Sequence, residues 1–357
     1  MEKFFSESLI CWDQELNPRT MPWKGEKDPY RIWLSEIILQ QTRVEQGLPY
    51  YLRFIAAFPD IRTLEAAGEA AVFRLWQGLG YYSRCKNLLA TARRVVNEYQ
   101  GVFPCTYPEI LGLPGIGPYT AAAIASFAFD LPYAVVDGNV VRVLSRYFGV
   151  NEAADTSAGK AHFTELATKL LDKSQPATYN QAIMDFGARI CKPRQPSCNI
   201  CPIQVHCLAY RDGRVKELPV KSRRPAVRDR HFNYLVISYQ GRLYLHLRTQ
   251  KDIWQNLYEF PLIETAQEVT AGELLDSPDF RRLLHGVKYR VLHHTDICRQ
   301  QLTHRRIFAR FTQIEAAAPV PALEGYILVF LKDLHLYALP GIIVSILQEK
   351  FLTLSVR

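Results

Sequence analysis

Four cysteines in one short segment have a spacing that suits a metal site. They lie within seventeen residues and are separated by six, two and five residues: Cys191, Cys198, Cys201 and Cys207. Prolines at 193, 196 and 202 indicate a loop-rich stretch in which several thiolates can converge on one centre. Clustered thiolates bind zinc or an iron–sulfur cluster, whereas disulfides are rare in cytosolic proteins. The spacing therefore predicts a bound metal and leaves the choice between zinc and iron–sulfur open.

Glu36 is a candidate general acid because of its neighbours. Within the helical segment 30–42, the residues three and four positions away include Ile32, Trp33 and Leu39. An apolar setting raises the pKa of a carboxyl group and keeps a proton available for a leaving group. An exposed surface glutamate is the alternative interpretation.

Asp137 is a candidate for the complementary role of a charged carboxylate. It follows the apolar run 131–136 and precedes Gly138-Asn139, so it can cap the N-terminus of a helix. The helix dipole favours the ionised form there, and a negative charge stabilises a developing sugar cation. One protonated and one ionised carboxyl group can divide the cleavage of a glycosidic bond between them. A structural cap without a catalytic role is the alternative.

The glycine-rich turn Leu113–Pro118 is a candidate phosphate-binding element. Gly115 and Gly117 stand between two short helical segments and close to the start of the second. Glycines let backbone N–H groups approach a phosphate, and a helix N-terminus favours its negative charge. A tight connection between helices is the alternative.

Composition excludes some classes of protein and leaves others open. The chain has 357 residues, 48% of them hydrophobic and 22% charged, which is ordinary for a globular protein. The longest nearly apolar run, 121–129, is too short to span a bilayer, so we expect a cytoplasmic protein without a membrane partner.

Of the net charge of +8, the segment 211–230 carries +5, from eight Lys/Arg and three Asp/Glu. This segment is interpreted as a basic linker, whose charge serves a nucleic-acid partner or simply keeps a tether solvated.

The pattern of hydrophobic residues divides the chain into two predicted domains and a linker between them. Residues 1–210 are predicted to be helical, followed by the linker 211–230 and a compact α+β domain over 231–357. Asp28-Pro29 predicts the start of a helix that runs through Gln46. Further helices are predicted near 64–73, 85–99, 108–111, 119–128, 139–147, 160–171, 180–190, 274–284 and 341–351. A strand hairpin is predicted over 233–239 and 243–248, with other strands over 288–292, 306–311 and 326–331.

Several motifs resemble those of the MutY family of adenine DNA glycosylases, within the helix–hairpin–helix superfamily. They include Trp33-Leu-Ser-Glu-Ile-Ile-Leu-Gln-Gln-Thr42, Gly78-Leu-Gly-Tyr-Tyr-Ser-Arg84, Leu113-Pro-Gly-Ile-Gly117 and Asp137-Gly-Asn-Val140, and they cover residues 8 to 210. Trp254-Gln-Asn-Leu-Tyr-Glu-Phe-Pro261 extends the resemblance into the second domain, which in this family is NUDIX-like. The cysteine spacing is similar to the one that holds a [4Fe-4S] cluster in the endonuclease III and MutY families. The resemblance therefore implies a cluster at the four cysteines.

The resemblance also implies an activity and assigns residues to it. It implies a monofunctional glycosylase of base excision repair, a hydrolase that releases adenine mispaired with guanine or 8-oxoguanine from double-stranded DNA. We expect it to act as a monomer. Glu36 is similar to the acid that protonates adenine at N7, and Asp137 to the carboxylate that stabilises the sugar cation. The supporting positions are Tyr119 and Asn139 beside the two carboxyl groups and Gln181 facing the adenine.

Other positions are implied to contact the duplex. Gln41 and Tyr81 correspond to side chains that enter the duplex around the extruded base, and a gap left by a flipped base does require filling. The turn with Gly115 and Gly117 is implied to grip the backbone. The loop Leu302-Thr303-His304 corresponds to the one that reads 8-oxoguanine.

Three features depart from the family pattern. Lys24 stands where arginine is commoner, which keeps a charge and loses a bidentate contact. Leu302 replaces an aromatic residue before Thr303 and His304. The second domain lacks the acidic helix motif that binds magnesium in NUDIX hydrolases, so we expect it to recognise 8-oxoguanine and not to hydrolyse nucleotides.

Two other functions remain as alternatives. An endonuclease III-like glycosylase for oxidised pyrimidines would have a nucleophilic lysine where this chain has Tyr119. A non-catalytic iron–sulfur DNA-binding protein would not need Glu36 and Asp137 together.

Overall fold

The structure is a computed structural model that describes residues 2–222, 227–302 and 304–350. Contacts divide the chain into two compact units. One comprises Met1–Ala66 and Lys86–Arg224, and the other Ala67–Cys85 and Pro225–Arg357. The domain limits that we placed at 210 and 231 stay a prediction. No described helix is both long enough and apolar enough to cross a membrane.

Helices account for the chain before the first strand, as the periodicity predicted. In chain order they are α1 (Glu2–Glu15), α2 (Pro29–Leu39), α3 (Val44–Ala57), α4 (Ile61–Ala66), α5 (Glu69–Trp76), α6 (Tyr82–Glu98), α7 (Tyr107–Leu111), α8 (Pro118–Phe129), α9 (Gly138–Phe148), α10 (Ser157–Leu170), α11 (Pro176–Arg189) and α12 (Leu208–Arg211).

The start of α2 was predicted correctly, and its end was not. The Asp28 carboxylate accepts a hydrogen bond from the Tyr30 amide at 2.9 Å, and Pro29 occupies the first turn. The helix does not continue through Gln46, because Gln41 adopts a left-handed backbone with a φ of 57°. This conformation cannot continue a right-handed helix, so the chain turns and α3 begins at Val44. The predicted helix near 64–73 is likewise two helices, with Gly68 capping the second.

Apolar packing fixes the elements that carry the site. α1, α9, α10 and α11 share one core, which includes Leu9, Val143, Phe163 and Phe186. α2 packs against α8 and is buried along most of its length, including the polar side chain of Glu36.

The second unit contains a mixed sheet. Its strands are β1 (Arg228–Tyr239), β2 (Arg242–Leu247), β3 (Tyr258–Glu259), β4 (Leu262–Thr265), β5 (Tyr289–His294), β6 (Cys298–Gln301), β7 (Arg305–Ala316) and β8 (Ile327–Phe330), in the order β3-β2-β1-β7-β5 with the other three paired at the side. The predicted hairpin is confirmed, since β1 and β2 pair antiparallel. β1 begins at Arg228, inside the segment interpreted as linker, and β3, β4 and β6 were missed.

The two faces of the sheet bury separate cores. On β1, Phe232, Tyr234 and Val236 face the core that includes α15 (Gly341–Lys350), and Leu235 and Ile237 face the opposite core. The core that contains Leu235 and Ile237 is covered by two helices, α13 (Ala271–Asp276) and α14 (Pro278–Leu283). They replace the single helix predicted near 274–284. The break lies at Ser277, whose hydroxyl accepts a hydrogen bond from the Phe280 amide at 3.2 Å and caps α14.

Candidate active site

A cavity of about 490 Å³ in the helical unit brings six of the predicted site residues together. We call it the carboxylate cavity. It is bounded by α2, the turn after α2, and parts of α8, α9 and α11. Its walls include the side chains of Glu36, Gln41, Tyr119, Asp137, Asn139 and Gln181. The structure thus brings these six residues to one cavity, while their roles stay a prediction.

Glu36 has the environment expected of a proton donor. Its side chain is buried on α2, with 7% of the residue exposed. Burial raises the pKa of its carboxyl group to about 7, and the nearby Asp137 charge adds to the increase. A hydrogen bond from the Tyr119 hydroxyl acts in the opposite direction. A substantial fraction of Glu36 is therefore protonated at neutral pH.

Tyr119 holds the Glu36 carboxyl group in place. It lies in the first turn of α8, directly after Pro118. Burial raises the pKa of its phenol well above the ordinary value, and the charges of Glu36 and Asp137 raise it further. The phenol is therefore a neutral hydrogen-bond donor and has no amine that could attack a sugar carbon.

Asp137 caps α9, as predicted. Its carboxylate accepts hydrogen bonds from the amides of Asn139 at 2.8 Å and Val140 at 2.7 Å, and from the Asn139 side chain at 2.6 Å. Burial nevertheless raises the pKa of Asp137, an effect that the expectation of a simple helix cap left out. Asp137 receives three N–H donors and Glu36 one hydroxyl, so the local dipoles favour the negative charge on Asp137.

A buried arginine that the sequence analysis missed supports Asn139. Arg142, on the next turn of α9, donates to the Asn139 side-chain oxygen at 2.8 Å and to the Cys191 carbonyl at 2.7 Å. It also donates to the Gly187 carbonyl at 2.6 Å. The guanidinium therefore links the residue that holds Asp137 to the backbone of a predicted metal ligand. The sequence signal that could have identified Arg142 is its position five residues after Asp137, the predicted helix cap.

Close contact between α9 and α11 sets the width of the cavity. A Cβ added at Gly187 would lie 2.7 Å from the Asn139 Cβ and 2.9 Å from the Asn139 carbonyl oxygen. Gln181 lies on the same helix as Gly187. The absence of a side chain at 187 thus fixes the distance between the two helices that carry Asn139 and Gln181.

Two further residues of α11 shape the cavity. Asp185 lines it and is buried, with ion pairs to Arg19 at 2.6 Å and Lys24 at 3.3 Å. Lys24 also pairs with Asp13 at 2.8 Å, so it keeps the charge of the arginine expected at that position. Asn180 is buried and accepts a hydrogen bond from the Val135 amide at 3.0 Å, which fixes the segment that leads to Asp137.

The predicted phosphate-binding turn joins α7 to α8. Gly115 has a φ of 72°, and an added Cβ would lie 2.5 Å from the Asn87 Cβ, so only glycine fits. Gly117 precedes α8 and provides no side-chain cap for its first amides. Both glycines are exposed. An uncapped, exposed helix N-terminus is a suitable site for an anion.

Gln41 and Tyr81 both have left-handed backbones. Gln41 is exposed at the turn between α2 and α3 and lines the carboxylate cavity. Tyr81 belongs to the second unit, follows Gly80, and has a φ of 50° with 43% of the residue exposed. The guanidinium carbon of Arg84 lies 5.2 Å from the centre of the Tyr81 ring.

The four clustered cysteines line one small cavity of about 30 Å³, next to the core of the helical unit. This exceeds the space that one water molecule needs, about 10–15 Å³. An Arg146 nitrogen lies 3.5 Å from the Cys191 sulfur. Burial raises the pKa of Cys201 to about 12, so its thiolate requires a compensating cation. Among the described residues, no group of three or more His, Cys, Asp or Glu side chains has the geometry to hold a single metal ion.

The residues predicted to read 8-oxoguanine lie between β6 and β7. His304 is exposed, and its carbonyl accepts a hydrogen bond from the Arg228 amide at 3.1 Å. Thr303 lies outside the described residues. The next residue, Arg305, pairs with Asp252 at 2.5 Å. Asp252 also accepts hydrogen bonds from Arg230 and Arg248 at 2.7 and 3.1 Å.

Comparison with known families matches both parts of the chain. Residues 34–169 match the model of the HhH-GPD superfamily base excision DNA repair protein. Residues 233–349 match the NUDIX domain model. A solved thermostable thymine-DNA glycosylase is 31% identical, with a TM-score of 0.55, and the match covers 59% of this chain and 97% of that one. An endonuclease III in a non-covalent DNA complex is 20% identical, with a TM-score of 0.51, and shares the fold.

Relatives of known sequence match between 60% and 82% of this chain. The adenine DNA glycosylase of Buchnera aphidicola subsp. Schizaphis graminum is 35% identical over 261 residues, which are 73% of this chain and 75% of that protein. That of Buchnera aphidicola subsp. Baizongia pistaciae is 33% identical over 298 residues, 82% of this chain and 83% of that protein. The enzyme of Rattus norvegicus is 41% identical over 228 residues, 60% of this chain and 44% of that protein. The chain therefore belongs to the adenine DNA glycosylase family.

Proposed function

We propose that this protein is a monofunctional glycosylase that releases adenine mispaired with 8-oxoguanine or guanine. It acts as a monomer on double-stranded DNA and leaves an abasic site. The observation that carries the proposal is the pair of carboxyl groups in one cavity. Burial raises the pKa of Glu36 to about 7, and Asp137 receives three N–H donors.

The chemistry follows from the protonation of the two groups. Protonated Glu36 donates its proton to N7 of the extruded adenine, and the electron pair of the N-glycosidic bond leaves with the base. The resulting sugar cation is stabilised by the negative charge of Asp137. A water molecule then adds to the sugar carbon and gives a proton to the ionised Glu36, which returns this group to its starting form. The phosphodiester bonds take no part, so the strand remains intact.

Neighbouring side chains favour adenine and hydrolysis. The Gln181 amide lies on the cavity wall, where it can both donate to and accept from a base edge. Tyr119 occupies the position of the lysine that an oxidised-pyrimidine glycosylase would use as a nucleophile. Because a phenol cannot form an imine, cleavage of the strand by β-elimination is not expected.

The four cysteines are proposed to hold a [4Fe-4S] cluster. All four cysteines line one cavity, and Arg146 places a positive charge beside the Cys191 sulfur. These features fit an anionic cluster with thiolate ligands. When bound, the cluster supplies iron–thiolate bonds that tie residues 191–207 to the end of α11. Anaerobic purification followed by metal analysis should give about four iron atoms per chain, and zinc without iron would contradict the assignment.

The second domain is proposed to recognise 8-oxoguanine in the opposite strand. His304, exposed between β6 and β7, supplies the polar contact together with Thr303. Replacing His304 with alanine should reduce excision opposite 8-oxoguanine more than excision opposite guanine. An equal loss of excision opposite 8-oxoguanine and opposite guanine would exclude His304 from the recognition of 8-oxoguanine.

Single-turnover excision assays test the proposal as a whole. The duplexes carry adenine opposite 8-oxoguanine, guanine or thymine, with a thymine-glycol duplex as the control for the endonuclease III alternative. Adenine release from the first two duplexes alone is the expected result. Glu36→Gln should bind the mismatched duplex and fail to release adenine, and Asp137→Asn should be severely impaired. Release of thymine glycol, or normal excision by Glu36→Gln, would refute the proposal.

A further inference from the structure

A second cavity, of about 1070 Å³, adjoins the carboxylate cavity in the helical unit. The two cavities share four residues: Tyr119, Val136, Asp137 and Gly138. The second cavity continues from this shared wall along α9 and α10. We call it the lysine groove. A molecule that reaches Asp137 from one cavity can therefore extend into the other.

Part of the segment interpreted as a linker forms the far wall of the lysine groove. Residues 214–222 fold onto the helical unit, since the Leu218 carbonyl accepts a hydrogen bond from buried Arg146 at 3.1 Å. The Val220 carbonyl accepts one from the Ala154 amide at 3.0 Å. These residues are held in place by α9, which also lines the carboxylate cavity, and by the loop between α9 and α10. They are not a free tether.

The groove presents positive charge to solvent. Its lining has five basic residues against two acidic ones, Asp137 and Asp155. Three of the basic residues are exposed lysines: Lys160 on α10, and Lys216 and Lys221 on the linker wall. Within the described ranges, none of these lysines forms an ion pair. Arg142 and Arg146 also line the groove, but their guanidinium groups are committed to carbonyl oxygens of the protein. The lysines therefore remain as cations for a bound anion.

We infer that the lysine groove holds the phosphate backbone of the adenine-containing strand, with phosphates at Lys160, Lys216 and Lys221. This inference rests on the proposed function. If the adenine occupies the carboxylate cavity, its sugar lies at Asp137, and the attached strand must leave through an opening beside Asp137. The lysine groove is such an opening, and its charge complements phosphate. Lysine contacts of this kind position a strand without reading its sequence.

The salt dependence of DNA binding tests the inference. The logarithm of the DNA-binding constant falls linearly with the logarithm of the salt concentration. Each phosphate contact that is lost should make this slope less steep by about 0.9. Replacing all three lysines with glutamine should therefore reduce the slope by about 2.7, and each single replacement by about a third of this. Replacing them with arginine should keep the wild-type slope. Lys173→Gln is the matched control, because Lys173 is exposed between α10 and α11 and does not line the groove.

The outcomes separate this inference from the proposed function. A reduced slope in the glutamine variants, with wild-type slopes for the arginine variant and for Lys173→Gln, supports the groove. An unchanged slope, or an equal reduction in the control, overturns it. At saturating protein and low salt, Lys173→Gln should release adenine at the wild-type rate, because Lys173 lines neither the carboxylate cavity nor the lysine groove. If the wild-type protein releases no adenine, the proposed function fails, while the salt slope still reports where DNA binds.

Discussion

Replacing Glu36 with glutamine should make the stability of the protein less dependent on pH. In the folded protein the pKa of Glu36 is about 7, against an ordinary value of 4.5. A buried carboxyl group with a raised pKa resists ionisation, whereas the same group in the unfolded chain ionises freely. As the pH rises from 4.5 to 7, the unfolded state therefore becomes more favourable relative to the folded state. Glutamine cannot ionise and removes this effect.

The shift of 2.5 pKa units, from 4.5 to about 7, sets the size of the effect. At about 1.4 kcal/mol for each unit, the wild-type protein loses about 3 kcal/mol of unfolding free energy above pH 7 relative to low pH. Of this loss, about 2 kcal/mol falls between about pH 5.5 and pH 8.5, the range of the experiment. The amide has its own cost of burial, but this cost is the same at both pH values. The unfolding free energy of the variant minus that of wild type therefore changes with pH only through the ionisation of Glu36.

Urea unfolding at the two pH values, followed by circular dichroism, measures this quantity. The variant should gain about 2 kcal/mol relative to wild type as the pH rises. Glu45→Gln, an exposed glutamate on α3, is the control and should give no such gain. A difference that does not change with pH would refute the raised pKa and with it the assignment of Glu36 as proton donor. The same pKa predicts that single-turnover adenine excision falls as the pH rises through about 7.

Four further changes have expected outcomes. Gly115→Ala should cost about 1–3 kcal/mol in urea unfolding and weaken DNA binding, because residue 115 has a positive φ and lies against Asn87, whereas Gly117→Ala should not destabilise the fold. Arg142→Gln should slow adenine excision and cost about 1–3 kcal/mol, since several carbonyl oxygens lose a buried donor. Asp252→Asn should cost about 2 kcal/mol at neutral pH, because the pKa of Asp252 is lowered to about 2 by its arginines; in wild type this contribution is present above about pH 4 and disappears as the pH falls through about 2. Borohydride should trap no covalent complex, because Tyr119 cannot form an imine; efficient trapping would show that a lysine elsewhere attacks the sugar.

Local signals in the sequence predicted the local features of the fold. The start of α2 followed from Asp28-Pro29, and the β1–β2 hairpin followed from two β-branched and aromatic runs around Gln240-Gly241. The end of α2 could not be predicted, because glutamine at Gln41 gives no signal for a left-handed backbone. The break at Ser277 was missed since its capping role competes with an apolar pattern that suits one continuous helix.

The site was predictable to the extent that its chemistry lies in single motifs. Most residues three and four positions from Glu36 are apolar, and its burial agrees with that pattern. The supporting contacts join distant segments, and no local pattern reports them. Arg142 reaches the carbonyl of Cys191, 49 residues away, and Asn180 holds the amide of Val135, 45 residues away. Such contacts are decided by the packing of whole helices.

The crossing of α9 and α11 at Gly187 has a consequence for mutational scanning. Position 187 has no side chain, contacts no proposed substrate atom and lies in a helix where alanine is normally favourable. Yet a single methyl group there would collide with Asn139 and push apart the helices that carry the carboxylate support and the adenine-facing amide. In a scan scored by activity, position 187 should therefore resemble a catalytic position. A smaller side chain at 139 should not restore activity, because the backbone carbonyl of Asn139 would still lie within 3 Å of the new methyl group.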